Sequence, residues 1–422
     1  MISEPNFDTA LRVETLKVRD IKDVEEVVRA AVASEQPLEI IGHGSKRAIG
    51  HPMATNAVLD VSVLNAVTSY EPNELIISVQ AGAPLADVQS LIDAKNQQFA
   101  FEPMDTSVLL GGAGAGTIGG MIGVGLAGPR RIKAGGARDH LLGAHAVSGF
   151  GDSFKTGGRV VKNVTGYDLC KLLTGSWGTL AVMTEVTLKV MPKPEAERTL
   201  LLRGLDDVTA NKAMTAALGS PFDVSGAAHL PLQAVQAGAE AFAGFAGQPV
   251  TLVRLEGIAA SAAHRAASLS QTLSSFGTVD RLEDDASAAL WRALRDVEPF
   301  AAKGARGTWP VWRIVCPPAA GGGLGAALTR ETGAEVIYDW GGGLIWAALP
   351  PGTDAQAVAV RSQVAAIGGH ATLIRASEDV RRSVDVFQPQ AAGLAALGER
   401  VRASFDPRSI LNRGRMTRGG AK

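Results

Sequence analysis

This 422-residue chain has few cysteines and almost no net charge. Its two cysteines, Cys170 and Cys316, are far apart and lack the spacing of a metal site, which is typical of a protein of the reducing cytoplasm. The seven histidines are scattered as well, so we expect no metal site. A formal net charge of −1 provides no positive field for a polyanion, so the sequence predicts that nucleic acid is not a partner.

A targeting signal is also missing from the start of the sequence. Glu4, Asp8 and Glu14 precede any apolar run, and the segment has neither the basic region nor the apolar core of a signal peptide. We therefore expect a cytoplasmic protein. The length allows about two or three domains, each with its own core.

Glycine, in contrast, is abundant, above all in segment 111–128. Nine of its eighteen residues are glycine and none is charged. Such a loop permits positive φ angles and close backbone approach, and its successive N–H groups can form a nest for anions. Four interpretations are open: a Rossmann fingerprint at Gly114–Gly119 with Asp139 further on, a transmembrane helix over the uncharged run 106–128, a flavin or phosphate loop, and a tight packing loop.

The flanking residues weaken the first two interpretations. A Rossmann loop leaves a strand and opens a helix, but no strand pattern precedes these glycines. Because glycines continue up to Pro129, the sequence predicts that no stable helix follows. The run 106–128 has few large apolar side chains, so membrane insertion would be weakly driven. A flavin or phosphate loop is the favoured interpretation.

A second candidate anion site comes earlier in the chain. Asp20 is placed to cap a helix, and residues 37–41 then predict a short buried strand. The strand runs into segment 42–47, where glycines, a hydroxyl and two cations occur together. An ordinary surface turn is the alternative. Two such loops in one α/β region favour a ligand with a pyrophosphate centre, that is, a dinucleotide cofactor.

Alternating and apolar segments complete the prediction for the first half of the chain. Strands are expected at 57–61, 75–79, 141–148, 153–155 and 179–190. Met191–Pro194 ends the last strand and marks a domain boundary. Near the other end, residues 391–405 predict an amphipathic helix that returns the chain to the first domain.

Two further groups of residues each allow two interpretations. Arg130 and Arg131, at the end of the glycine-rich segment, could neutralise a phosphate or a substrate carboxylate, or could be solvated surface charges. Four tryptophans of the second half could form a partner surface, although burial in a core is favoured. They are Trp309, Trp312, Trp340 and Trp346.

Four motifs follow one another in a recognisable order. They are the first glycine loop at 41–45, the T-I-G-G element at 117–120, the K-N-V-T-G-Y-D-L and G-S-W-G-T-L elements within 162–180, and the closing segment 405–415, in which Arg413 replaces the usual proline. In this order the chain resembles the FAD-binding domain of the vanillyl-alcohol oxidase / p-cresol methylhydroxylase (PCMH) superfamily.

The resemblance implies an α+β fold, with a PCMH-type two-lobed FAD-binding domain and a smaller α+β cap domain. It places the FAD-binding domain at 1–195, a cap that faces substrate or partner at 196–385, and a segment that returns to the FAD-binding domain at 386–422. The implied cofactor is FAD. The residues that the resemblance assigns to the cofactor are Gly42, His43, Gly44, Ser45, Lys46, Arg47, Thr117, Ile118, Gly119, Gly120, Gly178, Thr179, Val182 and Asn412.

The histidine of the first loop bears on how the flavin is attached. Several relatives bond FAD covalently through a histidine of this loop. His43 stands at the middle of the glycine triplet, one place before the position of that histidine. We therefore expect non-covalent FAD.

Within the superfamily, four segments most resemble the E-subunit family of bacterial glycolate oxidases: 125–131, 162–168, 309–317 and 337–346. The resemblance implies a redox subunit that works with a larger FAD-binding subunit and an iron–sulfur subunit. The complex would oxidise a small 2-hydroxy acid, glycolate or D-lactate, to the 2-oxo acid and pass electrons to a membrane acceptor. Peripheral association with the inner face of the cytoplasmic membrane, through these partners, is implied as well.

No catalytic base is identified from the sequence. Relatives that oxidise 2-hydroxy acids often carry an H-x-G-D-G-N-x-H type segment in the cap, which this chain lacks. Its absence favours a flavin subunit that depends on a partner. A stand-alone FAD-linked dehydrogenase of a hydroxy acid or alcohol, and a non-catalytic assembly subunit that keeps the flavin fold, are the alternatives.

Overall fold

The computed structural model describes residues 14–55, 57–158, 167–237, 240–245 and 247–418. The strands within these ranges are β1 Glu14–Lys17, β2 Leu38–Ile41, β3 Ala57–Asp60, β4 Val67–Glu71, β5 Ile76–Gln80, β6 Gln97–Gln98, β7 Leu141–Ser148, β8 Ser153–Gly157, β9 Ala181–Lys189, β10 Met191–Pro192, β11 Ala196–Arg203, β12 Val224–Leu230, β13 Val250–Gly257, β14 Val279–Glu283, β15 Val311–Val315, β16 Glu335–Asp339, β17 Leu344–Ala348 and β18 His370–Arg375.

The α-helices within the same ranges are α1 Ile21–Ser34, α2 Leu85–Asp93, α3 Thr106–Leu110, α4 Ile118–Val124, α5 Arg131–Ala134, α6 Ala137–His140, α7 Leu169–Leu173, α8 Asp207–Leu218, α9 Leu232–Ala237, α10 Ala259–Leu273, α11 Asp284–Arg295, α12 Gly321–Thr332, α13 Ala357–Ala366, α14 Glu378–Ser383 and α15 Ala392–Phe405. Among the residues described, no helix has both the length and the apolar content needed to span a membrane.

The first half of the chain forms a small parallel sheet and a larger antiparallel one. The parallel sheet has the order β1-β3-β2, and the antiparallel sheet has the order β4-β5-β9-β7-β8. Local sequence explains the start: the Asp20 side chain caps α1 by accepting from the N–H groups of Lys22 and Asp23, as predicted. The predicted strands, including the pair 141–148 and 153–155, are confirmed with shifts of one or two residues at their ends.

A single antiparallel sheet of eight strands dominates the second half, in the order β14-β11-β13-β12-β16-β17-β15-β18. Helices α8, α10, α12 and α13 cover one face of it through a large apolar core. The other face carries Trp346 and packs against Ile49, Met104, Leu109 and Leu126 of the first half. The sheet therefore lies over the region that holds both glycine-rich loops.

Residues 196–375 supply all eight strands of this sheet. The domain boundaries near 195 and 385 remain a prediction, and the grouping of these eight strands in one sheet supports it. Trp312, Trp340 and Trp346 are buried, so the preference for a core role is confirmed for these three tryptophans.

The glycine-rich segment contains a helix that we did not expect. Helix α4 spans Ile118–Val124, and the prediction that no stable helix follows the G-x-G element is wrong. Thr117 caps this helix by accepting from the N–H of Gly120, and Gly125 ends it at φ 67°, so capping at both ends compensates for the low helix propensity of glycine. Helix α3 precedes the segment instead of a strand, which excludes both a Rossmann turn and one long membrane helix here.

Helix α15 lies where the sequence predicts it but has no buried face. None of its residues is buried, and Leu394 and Leu397 are 55% and 47% exposed. Only its last residue reaches an aromatic neighbour, with the rings of Phe405 and Phe154 6.1 Å apart. The predicted packing of an amphipathic face is therefore wrong for this helix.

Buried ion pairs join the eight-stranded sheet to the first half of the chain. Arg254, on β13, is fully buried and donates two parallel hydrogen bonds to the Glu102 carboxylate at 2.9 and 3.0 Å. Arg130 lies 3.1 Å from the same carboxylate and also binds Glu256. Burial raises the pKa of the neighbouring Glu197 carboxyl, with the charge of Glu256 adding to the effect.

Replacing Arg254 by methionine should destabilise the chain strongly, because Glu102 is left buried without its bidentate partner. We expect the free energy of unfolding in urea to fall by about 3–5 kcal/mol. Arg203→Met is the matched control on the adjacent strand β11, since Arg203 pairs with Asp280 at the surface, and it should cost less than about 1 kcal/mol. Equal losses in the two variants would contradict the importance of the buried pair.

Candidate functional site

A solvent-open cleft of about 760 Å³ lies between the loop after β2, the start of α4, the start of β9 and the closing segment. Eleven of the fourteen residues assigned to the cofactor from the sequence line it: Gly42, His43, Gly44, Ser45, Lys46, Arg47, Thr117, Gly119, Gly120, Gly178 and Asn412. The cleft thus brings together segments from nearly the whole length of the sequence, from Ile40 to Arg415.

The first loop contributes its backbone N–H groups to one wall of the cleft. Among the described residues, the N–H groups from His43 to Lys46 donate to no backbone or side-chain acceptor, and Gly44 adopts φ 67°. Successive free N–H groups in such a turn form a concave nest for an anion. A Cβ on Gly42 would lie 2.5 Å from the Thr117 hydroxyl, so only glycine fits where the two loops meet.

Charged side chains tie the first loop to the closing segment. The Glu39 carboxylate accepts from Arg47 at 2.5 and 2.9 Å and from Arg415 at 3.1 Å. Arg415 also donates to the carbonyl oxygens of Arg47 and Ile49. Because Glu39 and Arg415 are both buried, this network fixes the loop against the chain terminus.

The second loop forms the opposite wall through the first turn of α4. Gly119 packs directly on the end of β5, where a Cβ would meet that of Ala81 at 2.8 Å. Gly120 is more open: its Cβ would touch only the Thr117 hydroxyl, at 3.4 Å. Ile118, which the sequence assigned to the site, is fully buried in the core and does not line the cleft.

Asn412 holds two walls of the cleft together. Its Oδ1 accepts from the N–H of Ile40 at 2.8 Å, and its Nδ2 donates to the carbonyl oxygen of Trp177 at 2.7 Å. A Cβ on Gly178 would lie 2.6 Å from that Nδ2. The side-chain amide therefore positions the backbone on both sides of the cleft. The backbone of Asn412 itself is strained, with φ 44°.

Two more assigned residues lie beside the cleft and do not line it. Thr179 donates its hydroxyl to the carbonyl oxygen of Ser176 at 2.7 Å. Val182 is fully buried and packs in the same core cluster as Val147. Its neighbours Ala181 and Met183 are the β9 residues that line the cleft. Strand alternation explains the difference, because successive side chains face opposite sides.

Lys46 provides a cation that lines this site. It is part-buried, and its ammonium donates to the carbonyl oxygen of Ala115 at 2.9 Å and to the Ser45 hydroxyl at 3.0 Å. Burial lowers the pKa of Lys46 to about 8, against a smaller opposing effect of Asp105. Among the described residues no carboxylate pairs with it, so a ligand anion would relieve the cost of its burial.

Some lining residues were missed from the sequence. Trp177, at φ 56°, and Gly123 and Val124 of α4 line the cleft, as does Arg415. Arg415 and Trp177 belong to motifs that had been identified, but a motif does not say which side chain faces a cleft. Lys162–Gly166 and its neighbours in 159–166 lie outside the described residues, and Tyr167, 89% exposed, does not line the cleft.

These features fit a dinucleotide cofactor. The nest from His43 to Lys46 and the Lys46 ammonium suit an anionic pyrophosphate, while Val61, Ala81 and Met183 provide an apolar surface for a ring. The glycines at both loops keep space that a Cβ would fill. The donors and the apolar wall thus match one long ligand with a charged centre.

Comparison with known proteins agrees with this geometry. Residues 15–157 match the family model described as "FAD binding domain". The chain is 30% identical to glycolate oxidase subunit GlcE of Escherichia coli (strain K12), over 93% of this chain and 95% of that protein. It is 32% identical to glycolate oxidase subunit GlcD of Bacillus subtilis (strain 168), over 43% of this chain and 38% of that protein.

Among solved structures, a substrate-bound p-cresol methylhydroxylase has the same fold, with a TM-score of 0.67 at 13% identity over 95% of this chain and 88% of that one. The fold is therefore the α+β PCMH type, and the chain is an FAD-dependent oxidoreductase with FAD as its cofactor. More narrowly, it belongs to the GlcE family of glycolate oxidase subunits.

Replacing Lys46 by methionine should stabilise the chain without FAD at pH 7 and weaken FAD binding. Below pH 8 the folded chain buries a charged ammonium at a cost. As the pH rises from about 8 to 10.5, the unfolded chain holds a proton that the folded chain has lost, so that cost declines. We expect Lys46→Met to gain about 1–2 kcal/mol at pH 7 in urea unfolding and less at pH 9.5. A gain that grows with pH would contradict the assignment.

Proposed function

We propose that this chain is the FAD-binding redox subunit of a complex that oxidises glycolate, or D-lactate, to the 2-oxo acid. Its partners would be a larger FAD-binding subunit and an iron–sulfur subunit, which receive the electrons. The observation that carries the proposal is the similarity to GlcE along almost the whole of both chains, combined with a cleft whose donors suit FAD. FAD, when bound, supplies the two-electron acceptor for such an oxidation.

The chemistry of the cleft supports dependence on a partner. Oxidation of a 2-hydroxy acid needs a base for the hydroxyl proton. The ionisable side chains among the described lining residues are one imidazole and three cations: His43, Lys46, Arg47 and Arg415. Arg47 and Arg415 donate hydrogen bonds to Glu39, and Lys46 donates to Ala115 and Ser45. These cations are therefore better suited to hold a cofactor than to accept a proton.

We further propose that FAD is held without a covalent bond. His43 is exposed at the rim of the cleft, and the neighbouring N–H groups already offer a non-covalent anion site. Acid precipitation of the purified yellow chain should release the flavin into the supernatant. His43→Ala should keep stoichiometric FAD. Flavin that stays in the pellet of the unaltered chain but is lost from the variant would refute the proposal.

Electron transfer through this subunit is tested by closing the cleft. In Gly120→Phe, the ring projects into the cleft from a position with open space, so FAD should be lost while the fold is retained. Gly120→Ala, which adds only the Cβ, is the matched control and should keep FAD. With glycolate and a redox dye, the reconstituted complex should lose at least tenfold in rate with Gly120→Phe and little with Gly120→Ala.

The same assay separates the alternatives. Reduction of the dye by the FAD-loaded chain alone would favour a stand-alone dehydrogenase. Full activity of a complex that contains flavin-free Gly120→Phe would favour a structural assembly subunit. Circular dichroism and co-purification of the partner subunits show whether the variant has folded and assembled.

A further inference from the structure

Two arginines share one tryptophan ring on the face of the eight-stranded sheet that is turned toward the first half of the chain. The guanidinium carbon of Arg131, at the start of α5, lies 4.5 Å from the centre of the Trp340 ring. That of Arg313, on β15, lies 5.1 Å from the same centre. The aromatic ring stabilises each cation but also brings two like charges together.

Neither arginine has an anionic partner. Among the described residues, the side chains of Arg131 and Arg313 make no hydrogen bond and no ion pair, and the Nε of Arg313 is buried without an acceptor. Arg254 and Arg375, in the same sheet, are by contrast fully engaged with a carboxylate or with carbonyl oxygens. A buried donor without an acceptor is costly, so the Nε of Arg313 needs a partner that the described residues do not supply.

The local charge balance also favours an anion. Burial lowers the pKa of Arg313 to about 10, and the positive charge of Arg131 adds to this effect. Asp339 is near enough to act on Arg313 but does not neutralise it fully. Burial raises the pKa of Asp339 to about 7, and its Oδ1 already accepts from the N–H of Trp340. Near neutral pH the site therefore keeps an excess of positive charge.

The tryptophan that both arginines contact is held rigidly. Trp340, Gly341 and Gly342 have φ values of 53°, 65° and 96° in succession, and a non-glycine residue in this region is strained. The indole Nε1 donates to the carbonyl oxygen of Gly128 at 3.1 Å, which ties the turn to the end of the glycine-rich segment. Strain maintained by such contacts is typical of a preorganised site.

One apolar cluster connects the ring that the arginines share with residues of the cofactor cleft. Val124 and Trp177 line the cleft, and both pack against the apolar cluster that contains Trp340 and Trp346. The nest at the first loop is a separate feature, formed by backbone N–H groups of 43–46.

We propose that Arg131 and Arg313 form a carboxylate site that binds the small 2-hydroxy acid or its 2-oxo product. The assignment rests on the proposed function for the identity of the acid. A guanidinium fork matches the two oxygens of a carboxylate, and the two guanidinium groups at the Trp340 ring provide two such forks. The site selects acids over neutral alcohols, because an uncharged ligand would leave both guanidinium groups unpaired.

Titration calorimetry of the FAD-loaded chain with oxalate, an unreactive small dicarboxylate, tests the assignment. Oxalate should bind, and Arg313→Gln and Arg131→Gln should each weaken binding at least tenfold. Arg131 is exposed, so its variant is expected to fold even if Arg313→Gln does not. Arg138→Gln is the matched control: it is an exposed arginine of α6 without a side-chain partner among the described residues, and binding should be unchanged.

The outcomes separate this inference from the proposed function. Three outcomes would overturn the carboxylate site: no oxalate binding to the unaltered chain, binding by the Arg131 and Arg313 variants as tight as by the unaltered chain, or tighter binding of inorganic phosphate than of oxalate. The FAD content is read from the visible spectrum and does not depend on the calorimetric measurement of oxalate binding. A colourless chain that still binds oxalate through both arginines would overturn the redox function and leave the carboxylate site in place.

Discussion

The structure depends most on the buried contacts of Glu102. This residue adopts φ 51°, accepts two hydrogen bonds from Arg254 of the eight-stranded sheet, and accepts another from the backbone N–H of Arg130. Gly128, at the end of the glycine-rich segment, donates to the Glu102 carbonyl and has no room for a Cβ against it. One carboxylate thus joins the cofactor-binding half, the second loop and the sheet that covers them. Its burial is tolerable only because each oxygen is paired.

Close contacts at glycine residues then determine the shape of the cofactor cleft. Gly42 meets Thr117, Gly119 meets Ala81 and Gly178 meets the Asn412 amide, each at a distance that excludes a side chain. The chain gives up side chains there so that backbone N–H groups and one ammonium face the ligand. Such a wall suits a cofactor and, among the described residues, carries no carboxylate, which agrees with the proposed dependence on a partner subunit.

Features that depend on residues close together in the sequence were predicted well. The Asp20 cap, the strand before the first loop and the strand pair at 141–148 and 153–155 depend on neighbours in sequence, and all three are confirmed. Local reasoning was wrong for α4, because low glycine propensity is overcome by the Thr117 cap and by packing. It was also wrong for the face of α15, where a periodic pattern indicates only which residues share a face and not whether another element covers it.

The sequence by itself determined the family, the cofactor class and most of the cleft, because glycine loops that bind a pyrophosphate need particular residues in a particular order. Only the tertiary structure decided which residues face the ligand. Strand alternation turns Val182 inward, and core packing removes Ile118 from the wall. Only the structure shows that Arg313, deep in the second half of the chain, shares the Trp340 ring with Arg131. Contacts between residues so far apart depend on how sheets and helices pack, which no local pattern records.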